Sequence, residues 1–188
     1  GPGRKPNLRL ILDPALAGDP SAGSSVRVPA DPFGSIRTAG GALLVMSQDD
    51  QVDDPGAWLV ASRRAPTEAE AADLDLAWRL VRGATSNAIT LVRDRRLVGL
   101  GSGQTSRVDA AGQAVAKARR ISGPDATTGA ACGSDAYFPF ADGVEACLAA
   151  GVTAFVQPGG SIRDPEVIAA VDRAGATMVL TGVRHFRH

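Results

Sequence analysis

The sequence predicts an α/β fold in which helices cover a mixed β-sheet. From residue 67 onward, patterns typical of helices alternate with short apolar runs typical of strands. Two such runs, residues 86–92 and 97–100, are joined by a linker that is too short for a crossover, so we expect an antiparallel hairpin. Two strand ends, at Gly101 and Gln157, pass through glycine-rich turns into helices. Because ligands of such sheets bind outside the carboxyl ends of strands, both turns are expected to face one cleft.

The first part of the chain is predicted to hold short strands and a surface segment. Strands are expected at residues 7–12, 35–38, 42–47 and 58–62. Residues 13–32 are rich in Pro, Gly, Ala and Ser, which is typical of a linker. Gly1-Pro2 resembles the remainder of a cleaved tag. The sequence therefore predicts a leader at residues 1–6, an entry segment at 7–66 and an α/β subdomain at 67–188.

The clearest helix begins after Thr67. Thr67 and Glu70 have the spacing of a capping box, and Gly83 is suited to end the helix. One apolar stripe at helical spacing is formed by Leu74, Ala77, Trp78 and Val81. A tryptophan on such a stripe is expected in the core rather than as a stacking surface for a ligand.

The rest of the chain continues the alternation. Helices are predicted at residues 108–119 and 140–148, with a loop of small residues at 123–133. Strands are predicted at 152–156 and 178–180. Between these strands, Asp164 is the expected N-cap of a helix and Pro165 its first residue.

Composition excludes several classes of protein. The 188 residues carry 20 basic and 20 acidic side chains, so no basic excess favours nucleic-acid binding. No apolar run reaches the roughly 20 residues that span a bilayer, and no signal peptide is evident. Cys132 and Cys147 match no zinc motif and are expected as reduced thiols. We expect a cytoplasmic protein.

The turn at residues 101–107, Gly-Ser-Gly-Gln-Thr-Ser-Arg, is a candidate anion site. A helix start leaves backbone N–H groups without partners, and the helix dipole adds positive charge there. Arg107 adds a permanent cation. The spacing is neither that of a dinucleotide fingerprint nor that of a Walker loop, and an ordinary glycine-rich turn remains the alternative.

Five motifs, taken in chain order, carry a family resemblance. They are Ser-Asn-Ala-Ile from Ser86, the turn at 101–107, Ser-Asp-Ala-Tyr-Phe-Pro-Phe from Ser134, Gln-Pro-Gly-Gly-Ser-Ile-Arg-Asp from Gln157, and Arg-His-Phe-Arg-His from Arg184. With them the chain resembles the C-terminal part of the transformylase region in the bifunctional family AICAR transformylase / IMP cyclohydrolase. The resemblance implies a cytidine-deaminase-like fold and a homodimer of the complete enzyme.

The resemblance also implies an activity. The family transfers a formyl group from 10-formyltetrahydrofolate to the 5-amino group of AICAR, a step in purine biosynthesis. A Lys-His pair in an upstream half of the transformylase region supplies the proton chemistry, and no Lys-His dipeptide occurs in this sequence. The isolated chain is therefore expected to be inactive and to need that upstream half as a partner.

Eight residues match substrate-contacting positions of the family. The positions implied for AICAR are Asn87, Arg107, Tyr137 and Arg184, with Asn87 also positioned for the oxyanion. The positions implied for the folate are Val108, Asp142, Ser161 and Ile162. Two have structural alternatives, because Asn87 could cap a strand start and Asp142 could be the N-cap of the next helix.

The zinc ligands of deaminases are missing from the sequence, so no catalytic zinc is expected. Some family members hold potassium near the equivalents of Ser86 and Asp135, so potassium is an open expectation here. No role is assigned to His188. Two alternative functions remain: a non-catalytic assembly module and a generic phosphate-binding α/β domain.

Overall fold

The computed structural model describes residues 35–39, 42–46, 49, 53–185 and 187. The strand predicted at residues 7–12 and the terminal His188 lie outside these residues. The chain divides into two units, residues 1–50 and 51–188. In the first unit, β1 (Ser35–Ala39) and β2 (Ala42–Met46) pair as an antiparallel hairpin, as the two strand patterns predicted. The division into segments 1–6, 7–66 and 67–188 stays a prediction.

The second unit alternates strands and helices, which confirms the predicted mixed α/β fold. Its strands are β3 (Leu59–Val60), β4 (Ile89–Arg93), β5 (Arg96–Gly101), β6 (Ala131–Ser134), β7 (Ala154–Gln157) and β8 (Thr177–Leu180). Its helices are α1 (Glu68–Arg82), α2 (Arg107–Ser122), α3 (Asp142–Ala149) and α4 (Asp164–Arg173). The cytidine-deaminase-like label stays a prediction.

The strands form one six-stranded sheet in the order β3-β8-β7-β6-β4-β5. Strands β6, β7 and β8 are parallel, whereas β4 is antiparallel to both β5 and β6. Ile89, at the start of β4, lies opposite both Gly101 and Ser134, which end β5 and β6. The carboxyl ends of β5, β6, β7 and β8 therefore meet at one edge, so both glycine-rich turns leave the same edge of the sheet.

Each face of the sheet has its own apolar core. Helix α1 covers one face, where Trp78 and Val81 pack with Val92 and Val156. The helices α2, α3 and α4 cover the opposite face, where small and medium side chains such as Ala114 pack against the sheet. Successive side chains of a strand point to opposite faces of the sheet, so β4 contributes side chains to both cores.

Helix α1 has the predicted ends and the predicted buried stripe. The Thr67 hydroxyl accepts from the backbone N–H of Glu70, and the Glu70 carboxylate accepts from the N–H of Thr67. Glu70 also accepts two hydrogen bonds from the guanidinium of Arg64, at 2.7 and 2.8 Å. This hydrogen bonding lowers the pKa of Glu70 to about 2. These hydrogen bonds thus connect the start of α1 to the segment that precedes it.

The prediction of a loop at residues 123–133 was wrong at its end. Residues Ala131–Ser134 form β6, a central and fully buried strand. A side chain at Gly133 would place its Cβ 2.8 Å from the backbone of Ala77, so glycine is needed for α1 to pack this closely. The sequence Ala-Cys-Gly-Ser lacks the branched and aromatic residues that usually mark a strand, which explains the error.

Two element starts also differ from prediction. Strand β4 begins at Ile89 rather than at residue 86, because Asn87 exchanges backbone hydrogen bonds with Gln104 instead of joining the sheet. The N-cap of α4 is Arg163 rather than Asp164. The Asp164 carboxylate instead accepts from the backbone N–H groups of Gly160 and Ser161 in the preceding loop.

Candidate functional site

A cavity of about 440 Å³ opens at the sheet edge that carries the glycine-rich turns. Its walls come from the segment before β4, the turn between β5 and α2, the segment between β6 and α3, and the segment after β8. The lining residues are Asn87, Thr105, Ser106, Arg107, Val108, Ala136, Tyr137, Pro139, Phe140, Asp142 and Arg184. Six of the eight residues implied by the family resemblance are therefore brought to one cavity.

Arg107 lies at the back of this cavity and is 5% exposed. Its Nη1 donates to the carboxylate of Asp135 and, at 2.7 Å, to the hydroxyl of Ser134. Its Nη2 donates to Oδ1 of Asn87 at 2.8 Å. The guanidinium charge is thus paired with a buried carboxylate, and this pairing weakens its attraction for a further anion.

Asp135 connects this ion pair to the start of β4. Its Oδ2 accepts from the hydroxyl of Ser86, and its Oδ1 accepts from the backbone N–H of Ala88 at 3.2 Å. A cation would need carboxylate lone pairs that are not already facing donors. Three donors, one of them the guanidinium of Arg107, already face the Asp135 carboxylate, and potassium near Ser86 and Asp135 stays a prediction.

Asn87 is held in one orientation by its neighbours. Its Oδ1 accepts from Arg107, and its Nδ2 donates to the carbonyl of Gln104 at 3.0 Å. These bonds use one of the two N–H groups of the amide. Since Asn87 also lines the cavity, its amide is suited to donate to an oxygen atom of a bound molecule.

The aromatic motif divides between the core and the cavity. Phe138 is completely buried, whereas Tyr137 and Phe140 line the cavity and are 39% and 49% exposed. The guanidinium of Arg163 lies over the ring of Phe140, 4.7 Å from its centre. Arg184 also lines the cavity. Phe140 was not among the predicted site residues, although its position in the aromatic motif could have indicated it.

Val108 and Asp142 reach the cavity from the first turns of α2 and α3. The N-cap of α3 is Ala141, so Asp142 does not have the alternative role considered for it. Its Oδ1 accepts from the backbone N–H of Gly143 at 2.7 Å, and the residue remains exposed. An exposed carboxylate at a cavity wall is available to accept from a ligand.

Ser161 and Ile162 are not among the residues that line this cavity. They lie on the loop between β7 and α4, where the side chain of Ile162 is 97% exposed. The two residues implied for the folate are therefore placed beside the cavity rather than in its wall.

The glycine-rich turn at residues 101–107 has structural roles in capping and packing α2, and its role as an anion site stays a prediction. The Ser106 hydroxyl caps α2 by accepting from the N–H of Asp109, and it donates to the Asp109 carboxylate. A Cβ at Gly101 would lie 1.9 Å from the carbonyl oxygen of Ala110. Gly101 is therefore explained by the close packing of α2 on β5, and an acidic side chain already occupies the first turn.

The part of the chain that the structure describes contains no group of three His, Cys, Asp or Glu side chains placed to hold a metal ion. Cys132 and Cys147 are free and buried. A hydrogen bond with Cys147, together with burial, raises the pKa of the Cys132 thiol. A thiol with a raised pKa is a weak nucleophile at neutral pH. Among the described residues, none of the helices is both long enough and apolar enough to cross a membrane.

Comparison with known proteins identifies relatives that are named as purine biosynthesis proteins. The family model described as AICARFT/IMPCHase bienzyme matches residues 4–117. The bifunctional purine biosynthesis protein PurH of Anaeromyxobacter sp. (strain Fw109-5) is 48% identical over 186 residues, covering 99% of this chain and 34% of that protein. PurH of Chloroflexus aurantiacus is 54% identical over 153 residues, covering 81% and 30%. The chain thus spans about a third of the length of the curated relatives it matches.

Proposed function

This chain belongs to the AICARFT/IMPCHase bienzyme family, and we propose that it forms the substrate-binding half of an AICAR formyltransferase. The observation that carries the proposal is the meeting of six family-matched residues at one cavity. They come from four separate segments of the chain, so their meeting is a property of the fold. We assign the chain to the C-terminal part of the transformylase region on the same motifs.

The proposed reaction joins an amine to a formyl carbon. The 5-amino nitrogen of AICAR attacks the formyl carbon of 10-formyltetrahydrofolate and loses a proton. The tetrahedral oxyanion then collapses, the bond from the formyl carbon to N10 breaks, and N10 takes up a proton. A site for this reaction must align two substrates and stabilise the oxyanion.

In this proposal the described residues supply alignment and electrostatic stabilisation. The Asn87 amide donates to the developing oxyanion, and the exposed face of Tyr137 packs against the AICAR base. Arg184 binds the phosphate, with Arg107 behind it as a partly neutralised second guanidinium. Asp142 accepts from the N–H groups of the pterin, next to Val108. Ser161 and Ile162 contact the folate from the neighbouring loop.

In this proposal, proton transfer is assigned to the upstream half of the transformylase region. Because no Lys-His dipeptide occurs in the sequence, we propose that the upstream half of the transformylase region brings this pair to the cavity. The isolated chain then binds the substrates but has no catalytic activity. The complete enzyme is proposed to be a cytoplasmic homodimer. The co-substrate is 10-formyltetrahydrofolate, the proposal includes no zinc, and potassium near Ser86 and Asp135 stays a prediction.

A second function is favoured by one observation. The side chain of Ile162, on the loop between β7 and α4, is 97% exposed. A non-catalytic assembly module would use this loop to contact another chain. A generic phosphate-binding domain would instead bind a phosphate group through Arg184 and would not use the positions implied for the folate.

Calorimetric titration of the chain with AICAR and, separately, with 10-formyltetrahydrofolate tests the proposal. We expect both to bind, and we expect Tyr137→Ala to weaken AICAR binding. Arg79→Ala, an exposed change on α1 away from the cavity, is the matched control and is expected to bind like the parent chain. Binding of neither compound would reject the proposal, and binding of AICAR alone would favour the generic phosphate-binding domain.

A further inference from the structure

Gln157, the last residue of β7, lies between the aromatic cavity wall and the loop that carries Ser161. It is completely buried. A buried primary amide loses its hydration and needs partners for both its oxygen and its nitrogen. The two ends of this amide face two different segments of the site.

The oxygen end holds the aromatic wall. Oε1 of Gln157 accepts from the backbone N–H of Phe138 at 2.8 Å. Phe138 is buried, while its neighbour Tyr137 lines the cavity. The position of the wall at residues 136–140 therefore depends on where the Gln157 side chain lies.

The nitrogen end faces the neighbouring loop. Nε2 of Gln157 lies 3.5 Å from Oδ1 of Asp164 and 3.4 Å from the sulfur of Met178. The other carboxylate oxygen of Asp164 accepts from the backbone N–H groups of Gly160, at 2.7 Å, and Ser161, at 3.0 Å. A continuous set of polar contacts thus runs from Phe138 through Gln157 and Asp164 to Ser161.

We propose that Gln157 is a positioning residue that couples the aromatic cavity wall to the loop at residues 158–163. The functional purpose of this coupling rests on the proposed function, because the two segments carry positions assigned to the two substrates. When one ligand orders its segment, the amide transmits that order to the other segment. The contact of Arg163 with Phe140 adds a second connection between the same two segments.

Only a group with a donor at one end and an acceptor at the other can serve here. A glutamate at 157 keeps the acceptor for Phe138 but sets a carboxylate oxygen against Asp164. An asparagine at 164 keeps an oxygen for Gly160 and Ser161 but sets an amide N–H group against the amide of Gln157. Combining Gln157→Glu with Asp164→Asn reverses the direction of the bond and restores a matched pair.

The experiment compares Gln157→Glu, Asp164→Asn and the double variant in the complete 188-residue chain. Amide hydrogen exchange at Phe138 and Ser161 reports the coupling without any ligand. In Asp164→Asn we expect exchange at Phe138 to accelerate about tenfold, although Asp164 does not touch Phe138. The double variant should return the rate to within about threefold of the parent chain.

Affinity for AICAR, measured by calorimetry, reports the consequence for the cavity. Asp164 does not line the cavity, so a structural role confined to its own loop would leave AICAR binding unchanged. We expect Asp164→Asn to weaken AICAR binding about fivefold to tenfold and the double variant to recover it. Gln113→Glu is the matched control, since Gln113 also accepts from a backbone N–H, that of Ser102, and does not face a second acid through the contacts seen there.

The outcomes separate the two proposals. If Asp164→Asn accelerates exchange only at Gly160 and Ser161, or if the double variant is no closer to the parent than the single ones, the coupling is rejected. If the parent chain binds neither AICAR nor 10-formyltetrahydrofolate, the proposed function fails while the exchange rates still decide the coupling. If Gln157→Glu does not fold, the comparison of Asp164→Asn with the double variant carries the test.

Discussion

The two glycine-rich corners, at residues 101–107 and 157–164, leave the same edge of the sheet but use their residues differently. In the first corner, Gly101 allows α2 to pack against β5, and Arg107 turns into the protein to pair with Asp135. In the second corner, Gly159 and Gly160 have positive φ angles of 74° and 92°. There Asp164 turns back onto its own loop and binds two backbone N–H groups.

This comparison shows that one sequence pattern serves two purposes. The first corner is fixed by contacts with distant segments, and its charge is buried and paired. The second corner is fixed mainly by its own loop, and its apolar residue Ile162 remains exposed. Changes in the first corner should therefore cost more stability than changes in the second.

The largest effect is expected from Arg107→Met. The change leaves the Asp135 carboxylate buried without its cation, and loss of one partner of a buried pair lowers the free energy of unfolding by about 3–5 kcal/mol. Urea denaturation measures this loss. Arg107→Met combined with Asp135→Asn should recover part of the stability, because no buried charge is left alone and the amide oxygen can still accept from the N–H of Ala88. Equal losses in the single and double variants would contradict the comparison.

Gly101→Ala is expected to be the next most damaging change. Its Cβ would lie 1.9 Å from the Ala110 carbonyl oxygen, so either the helix or the strand must move. Overpacking against a backbone atom should lower the free energy of unfolding by about 3 kcal/mol. Thermal denaturation tests this. A variant that keeps the parent stability would show that α2 is free to shift away from β5.

Asp164→Ala breaks the second corner with a smaller effect. It removes the acceptor for two backbone N–H groups at a partly exposed position, which should cost about 1–2 kcal/mol. Urea denaturation measures the change. Glu166→Ala is the matched control, because the exposed Glu166 carboxylate pairs with the exposed Arg163, so its loss should cost under about 0.5 kcal/mol.

The smallest effect is expected from Gly160→Ala. No atom lies within 4 Å of the new Cβ, but the φ angle of 92° is strained for alanine, so about 1 kcal/mol of stability should be lost. Gly112→Ala, in α2, also meets no atom within 4 Å, and it should instead stabilise by about 0.5–1 kcal/mol. Thermal denaturation of both variants tests whether backbone conformation alone makes the difference.

The sequence itself determined the features that depend on neighbouring residues. Helix α1 was predictable because Thr67 and Glu70 are three residues apart, and its apolar stripe repeats at helical spacing. The β4–β5 hairpin was predictable because the chain between the two strands is too short for a crossover. The common edge of the two corners followed from the alternation of strands and helices.

Only the tertiary structure decided the features that depend on distant residues. Arg107 and Asp135 are 28 positions apart, and no local pattern marks them as a pair. Strand β6 was not predicted, because its small residues reflect the close packing of α1 rather than strand propensity. Likewise, the placement of Ser161 and Ile162 beside the cavity depends on the loop that Asp164 organises. Such contacts form only when distant segments pack together, because the local sequence of one segment does not indicate which other segment it contacts.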